Sequence, residues 1–181
     1  RQQPSEVARV LEAGLSFALE EERRPLLREL VELLLDLGQD GRAMRHQAAL
    51  LVLEPMPKER DALRTLAERT RDFELYASAL YDAAARANET SVRASMLMEA
   101  ARIREETLAE PDKAIALYHQ VFDAQADADT TLQAGRKLVN LLERAGREAE
   151  TLDVLSRMSE LEPGVDARKA MLGKIAQLAD K

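Results

Sequence analysis

Apolar residues recur at spacings of three and four along almost the whole chain, and strict alternation is not sustained anywhere. Spacings of three and four place side chains on one face of an α-helix, whereas alternation is typical of a half-buried strand. The pattern therefore predicts an all-α chain of about ten helices. Their apolar stripes lie near residues 7–18, 26–37, 42–53, 63–70, 73–84, 92–108, 111–122, 132–142, 152–161 and 167–178.

Glycine and proline residues lie near the ends of the stripes, where helices are expected to stop or begin. Gly38 and Gly41 follow the second stripe, where glycine tolerates the left-handed conformation of a helix C-terminus. Pro25 and Pro111 precede stripes and are predicted to lie in first helical turns, which do not need the missing N–H. Short connections make neighbouring helices antiparallel. Since no long polar linker interrupts the chain, we predict one domain over residues 1–181.

Composition and charge narrow the classes of partner. Aromatic residues are 3% of the chain and cysteine is absent, so disulfides and thiolate metal sites are excluded. The net charge is −7 and no basic stripe appears, which argues against nucleic acid. Every long apolar run carries charges, so membrane insertion is not expected. The absence of cysteine weakly favours the cytoplasm. The chain begins at Arg1 and shows no signal peptide, so we expect a fragment of a longer protein or a mature form, and a periplasmic location stays open if the N-terminus is truncated.

A repeat is visible in the pattern from Ala77 onward. A small residue is followed by a bulky one four positions later and an apolar one three after that, at intervals of 37 residues. A second interval, of 34 residues, links Leu138-Val139 to Leu172-Gly173. The small residues are predicted to allow close helix contact, with Tyr81 and Tyr118 filling the adjoining gaps. The three segments are Ala77-Tyr81-Ala84, Ala114-Tyr118-Val121 and Thr151-Leu155-Met158.

At these residues the chain resembles the tetratricopeptide repeat family, in a divergent, bacterial-type form. With Leu132 as the first position of a unit, Leu138-Val139 falls at the family's Leu-Gly pair and Pro163 at its closing proline. The resemblance is clearest over 95–131, 132–165 and 166–181, and weaker over 1–94. It implies a right-handed α-α superhelix of stacked helical hairpins. A related α-solenoid and a compact helical bundle are the alternatives.

Reactive side chains are few. The only histidines are His46 and His119, and neither belongs to a helical metal-binding pattern. No glycine-rich phosphate loop occurs. We therefore expect surface histidines, no enzymatic activity, no cofactor and no metal site.

The resemblance also implies where a partner would bind, because the first helix of each unit lines the family's concave surface. Arg136 and Asn140 fall at positions where some members hold a peptide's terminal carboxylate, although a solvated helix face would have the same composition. On the same face, the preceding unit would place Met96, Glu99 and Ile103. The predicted partner-binding residues are Gln133, Arg136, Asn140, Arg144 and Lys174.

Three hypotheses for function follow. The first is a scaffold that presents a groove to a protein or peptide. The second is a structural or self-associating repeat segment of a larger multidomain protein. The third, an enzyme, lacks any supporting constellation of side chains.

Overall fold

The computed structural model describes residues 4–179, and within them it contains ten helices and no strand, so the all-α prediction is confirmed. Each predicted stripe overlaps one helix, although the first, second and sixth stripes run past the helix end, to Ala18, Leu37 and Leu108. The helices are α1 (Pro4–Leu15), α2 (Glu20–Asp36), α3 (Asp40–Leu53), α4 (Pro57–Thr70), α5 (Phe73–Arg86), α6 (Thr90–Glu106), α7 (Pro111–Ala124), α8 (Ala128–Arg144), α9 (Glu148–Leu161) and α10 (Val165–Ala179).

The start of α2 differs from the prediction. The helix begins at Glu20, so Pro25 lies in its interior and not in its first turn. Glutamates at the N-terminus interact favourably with the helix dipole, and the Glu22 carboxylate accepts the Leu19 N–H at 3.0 Å. Pro25 leaves the Glu21 carbonyl without its helical donor. Both residues are exposed, so water can satisfy that carbonyl.

The helices form two compact units, Arg1–Asn88 and Glu89–Lys181. In the first unit, α1 to α5 pack in sequence order and α3 also contacts α5. In the second unit, each helix from α6 to α10 packs on the next. The single domain over 1–181 stays a prediction beside this division.

Helix length repeats in the second unit. The 17-residue helices α6 and α8 alternate with the 14-residue helices α7 and α9. We call α6 and α8 first helices, and α7 and α9 second helices. Every buried residue of α6 has a buried counterpart in α8 at the same distance along the sequence. The repeat can therefore be defined by which residues are buried. Ala94, Met96, Leu97, Ala100, Ala101, Ile103 and Arg104 correspond to Leu132, Ala134, Gly135, Leu138, Val139, Leu141 and Leu142.

Equivalent residues of α7 and α9 lie 37 residues apart in the sequence, as predicted. Equivalent residues of α6 and α8 lie one residue further apart. Ala114, Leu117, Tyr118 and Val121 of α7 correspond to the buried Thr151, Val154, Leu155 and Met158 of α9. Tyr118 is 1% exposed, as its predicted role in filling a helix contact requires.

The interval predicted for Tyr81 was wrong by one residue. Tyr81 is 46% exposed, whereas Tyr76 is 2% exposed. The buried set of α5 matches that of α7 when Tyr76 is aligned with Ala114, so Leu80 corresponds to Tyr118. One residue turns a helix by about 100°, enough to move Tyr81 out of the core. Ala77 and Ala84 are buried nonetheless, because the apolar face is two residues wide.

The interval predicted for α10 was also wrong, by three residues. The half-buried residues of α10 match buried or half-buried residues of α8 when Leu172 is aligned with Gly135, and not with Leu138. In this alignment, Met171, Lys174, Ile175 and Leu178 correspond to Ala134, Lys137, Leu138 and Leu141.

A buried polar cluster joins α3 and α4 in the first unit. Gln47 is 3% exposed and Glu59 is 5% exposed. The Gln47 amide donates to the Glu59 carboxylate at 2.8 Å and to its backbone carbonyl at 3.1 Å. Arg28 of α2 pairs with the same carboxylate at 3.3 Å. Because buried polar groups are costly when unpaired, this network fixes how the three helices meet.

Candidate functional site

A cavity of about 340 Å³ opens between α8, α9 and α10. Its floor is apolar, and two cationic side chains stand at its edge. A volume of this size accommodates a large side chain or a small ligand. The floor residues are Val139, Leu155, Met158, Ala167, Ala170 and Met171, and the cations are Arg136 and Lys174.

The repeat explains why space is left at this place. Leu155 corresponds to Tyr118, whose hydroxyl donates to the Glu105 carboxylate at 2.9 Å. Burial raises the pKa of Tyr118, and the neighbouring Glu105 raises it further, so the phenol stays protonated as the donor. Leucine lacks the ring and the hydroxyl that occupy the equivalent position in α7. The cavity therefore lies at a position where the second helix carries a smaller side chain.

Arg136 is held at the edge of the cavity by Glu162, at 3.1 Å. Glu162 is 7% exposed, and its other carboxylate oxygen accepts the Gly164 N–H at 3.1 Å. The Arg136 side chain is nevertheless 58% exposed, which leaves it accessible to a ligand. A guanidinium has five N–H donors, so it can bind a second acceptor while it keeps Glu162.

Lys174 belongs to an ion pair that recurs in the repeat. Its ammonium lies 2.6 Å from Glu143, and the equivalent Lys137 lies 3.0 Å from Glu105. Burial acts to lower the pKa of Lys137, but its contacts with Glu105 and Glu106 outweigh burial and raise it. The pair joins α10 to α8 as the Lys137–Glu105 pair joins α8 to α6, which accounts for Lys174 without a ligand. Each of the two cations at the edge of the cavity is therefore already paired with a carboxylate.

Two of the five predicted partner-binding residues line the cavity, and the other three do not. Arg136 and Lys174 line the cavity. Gln133, Asn140 and Arg144 lie exposed on α8 and are not part of its lining. The carboxylate clamp formed by Arg136 with Asn140 stays a prediction.

The face predicted for the preceding unit was wrong. Met96 is 1% exposed and Ile103 is 7% exposed, so both lie in the core. With the offset that the buried positions of α6 and α8 share, the α6 residues equivalent to Gln133, Arg136 and Asn140 are Ser95, Met98 and Arg102.

The apolar floor was not predicted as a site. Sequence alone assigns Leu155, Met158 and Met171 to ordinary packing, since apolar residues at helical spacing usually form a core. The one signal is the replacement of Tyr118 by Leu155 at equivalent positions. This difference can be recognised only when the spacing of the repeat is known, because the spacing shows which residues are equivalent.

His46 belongs to the first unit and His119 to the second, and each has a glutamate nearby. His46 Nε2 lies 3.0 Å from Glu12, which also pairs with Arg42 at 2.7 Å. Burial would raise the pKa of Glu12, but hydrogen bonds from His46 and Arg42 lower it. His119 Nε2 lies 3.8 Å from Glu150. Over residues 4–179, no three side chains from His, Asp and Glu converge as metal ligands would.

A second, more open cavity of about 650 Å³ lies where α1 meets α2. Phe17 lies beside it and is 90% exposed. Glu21 and Glu22 contribute its polar edge.

Comparison of the chain with models of known protein families gives no match, and a search of curated proteins finds none that matches. The tetratricopeptide resemblance therefore rests on the residues named above. Within the described part of the chain, no helix has the length and apolar character needed to cross a membrane.

Proposed function

We propose that this protein is a helical-repeat interaction module that binds a short segment of a partner protein between α8, α9 and α10. The observation that carries the proposal is the apolar cavity of about 340 Å³ at the position where Leu155 replaces Tyr118. The partner inserts one apolar side chain there. A segment with that anchor fits the cavity better than a purely acidic one, since carboxylates already accompany both cations.

The chemistry of the lining supports such an anchor. Burying a side chain of the size of leucine contributes about 1.5–3 kcal/mol. Met158 and Met171 are flexible and polarizable, so they can adapt to anchors of different shape. Arg136 supplies N–H donors at the edge, which suit a backbone carbonyl or carboxylate of the bound segment. The net charge of −7 favours a protein partner over nucleic acid.

Selection from a displayed library of random short peptides tests the proposal. Enriched peptides should share an apolar anchor and bind the chain saturably in a fluorescence polarisation assay. Leu155→Tyr should fill the cavity and weaken binding at least about tenfold, which corresponds to about 1.4 kcal/mol. Arg136→Glu should weaken it less, because the apolar anchor remains.

The matched control is Leu172→Ala, which removes an exposed apolar side chain from a different face of α10. It should leave peptide affinity unchanged. The proposal fails if no peptide binds saturably, or if Leu155→Tyr and the control have the same affinity for the selected peptides.

A structural or self-associating role is the second candidate function. The observation that favours it is the exposed apolar surface on α1 and on α10, where Val10 is 68% exposed and Leu172 is 50% exposed.

A further inference from the structure

The α10 helix carries the apolar pattern of a first helix on two faces but buries neither of them fully. Its half-buried face packs on α9. Its other face exposes Leu172, Ala176 and Ala179. The equivalent residues of α8 are the buried Gly135, Val139 and Leu142.

In α8 this face packs against a second helix. A Cβ atom at Gly135 would lie only 2.5 Å from Met158 Sδ of α9, which shows how closely the two helices approach there. Leu172 stands at the Gly135 position of α10. Leu172 fills the space that Gly135 leaves for Met158. A helix packed on α10 therefore needs a small residue at the Met158 position, and Gly14 of α1 has that place in the repeat pattern. The outer face of α10 is apolar like the helix-contacting face of α8, and no helix covers it among residues 4–179.

The α1 helix has the complementary character. It lies before the 17-residue α2, the position that a second helix takes before each first helix, and its pattern matches that of α7. Val10 corresponds to Leu117 and Val154, which are 8% and 0% exposed, yet Val10 itself is 68% exposed. The other matching residues are Val7, Ala8, Leu11 and Leu15 in α1 and Ala114, Ile115, Tyr118 and Phe122 in α7.

Exposed apolar side chains concentrate on these two helices and next to α1. Outside them, the large apolar side chains exposed within residues 4–179 are Met56 and Tyr81. Charge is complementary as well, since Arg168 and Lys169 flank the α10 face, whereas Glu21 and Glu22 lie beside Phe17. The exposed residues are Val10, Phe17 and Leu19 at the α1 end and Val165 and Leu172 on α10.

We propose that the chain associates head to tail, with α1 of a second copy packing as a second helix on the outer face of α10. Val10 and Phe17 of the second copy contact Val165, Leu172 and Ala176. The interface is heterologous, so each copy in a pair keeps one unused α1 or one unused α10. Such contacts grow into an open assembly or close into a ring.

This interface is separate from the peptide-binding groove. Residues 167, 170, 171 and 174 line the groove, and on an α-helix they project roughly opposite to residues 165, 172 and 176. Loss of either activity therefore does not require loss of the other.

Light scattering after gel filtration tests the proposal with two variants of residues 1–181. The unaltered chain should show a mass that rises with concentration beyond that of one copy. Val10→Glu and Leu172→Glu should each raise the dissociation constant at least about tenfold, because each places a charge in an apolar contact. Mixed together, they should form a one-to-one dimer and nothing larger, because each variant keeps the surface that the other lacks.

Met56→Glu and Tyr81→Glu are matched controls, since they add the same charge at other exposed apolar positions, which are 54% and 46% exposed. Both should assemble like the unaltered chain. Circular dichroism, together with the milder Leu172→Gln and Val10→Thr, checks that the variants fold.

Three results would overturn the proposal: a single-copy mass for the unaltered chain at every concentration, no dimer in the mixture of folded variants, or assembly that survives Leu172→Glu. Assembly that survives Val10→Glu but not Leu172→Glu would point instead to contact between two α10 helices. A single-copy mass for residues 1–181 would reject head-to-tail assembly and leave another protein, or residues flanking this chain, as the occupant of the two faces.

Discussion

Leu155 and Tyr118 occupy the same position in successive second helices, where Leu155 borders the cavity of about 340 Å³ and Tyr118 is buried, 1% exposed. Tyr118 fills its position with a ring and anchors its hydroxyl on Glu105 at 2.9 Å. One substitution between two copies of the repeat therefore separates a filled helix contact from an open groove.

Leu155→Tyr should stabilise the fold while closing the groove. The new ring would occupy the cavity, and its hydroxyl would be placed to donate to Glu143, the residue equivalent to Glu105. Cavity filling commonly adds about 0.5–2 kcal/mol to the free energy of unfolding. Urea denaturation followed by circular dichroism measures it. The reverse change, Tyr118→Leu, should cost about 1–3 kcal/mol because it leaves unfilled space and removes a hydrogen bond. A large loss of stability in Leu155→Tyr would show that the site cannot accept the ring.

Gly135→Ala should destabilise the second unit. Its Cβ atom would lie 2.5 Å from Met158 Sδ and 3.0 Å from Phe122 Cε2, and Phe122 is fully buried. The flexible Met158 side chain can shift toward the neighbouring cavity, but the buried Phe122 ring has less room, so the overpacking cost should fall near the lower end of about 1–3 kcal/mol. The control is Gly173→Ala on α10, where no atom lies within 4 Å of the added carbon.

Alanine is the better helix former by about 0.5–1 kcal/mol, so Gly173→Ala should raise the melting temperature. Equal effects of the two substitutions in thermal denaturation would contradict the close contact of α8 with α9.

Gln47→Leu should lower the free energy of unfolding by about 1–3 kcal/mol, because the buried Glu59 loses two hydrogen-bond donations. Guanidinium denaturation at neutral pH measures the change. The comparison is Gln47→Leu combined with Glu59→Gln, which removes the buried charge and should recover part of the loss. A double variant less stable than the sum of the two single changes would argue against this network.

Glu12→Gln should weaken the first unit in a way that depends on pH. Burial acts to raise the pKa of Glu12 in the folded state, but hydrogen bonds from His46 and Arg42 outweigh burial and lower it. A carboxylate with a lowered pKa contributes stability above its unfolded pKa of about 4.3, and that contribution is lost as the pH falls through the folded pKa. The stability difference between the unaltered chain and Glu12→Gln should therefore be largest near neutral pH and should shrink below about pH 4.

Thermal unfolding across this pH range provides the measurement. Asp61→Asn serves as a control, since Asp61 is exposed and pairs within its own helix, with Arg64. A difference that stays constant into the acid range would exclude Glu12 as the titrating group.

Much of the architecture could be predicted from the sequence because helical periodicity is a local property. The ten stripes each overlap one helix, with C-terminal helix ends that differ by up to three residues from the stripe ends, and Pro111 begins α7 as expected. The alignment of equivalent positions between successive repeats was harder to predict from the sequence. Tyr81 and Leu172 were placed one and three residues away from their structural equivalents, since the apolar face of a two-sided helix tolerates small shifts in pattern.

Of the candidate site, only the two cationic residues at its edge could be predicted from the sequence. Arg136 and Lys174 could be named because a family resemblance places the first helices on one surface. The carboxylates that pair with these two cations could not be predicted, since Glu162 and Glu143 lie in other parts of the sequence and are brought near by the fold. The apolar floor was hidden for the same reason, because Leu155 looks like any core residue until its neighbours are known.

By itself, then, the sequence determined the helices, their order and the existence of a repeat, because these follow from the periodicity of apolar residues along one chain. Tertiary structure decided the intervals of that repeat, the pairing of Lys174 with Glu143 and the opening beside Leu155. It also decided that the outer face of α10 stays uncovered among the described residues. These properties depend on which helix packs against which, and on how much space is left between side chains that are distant in sequence.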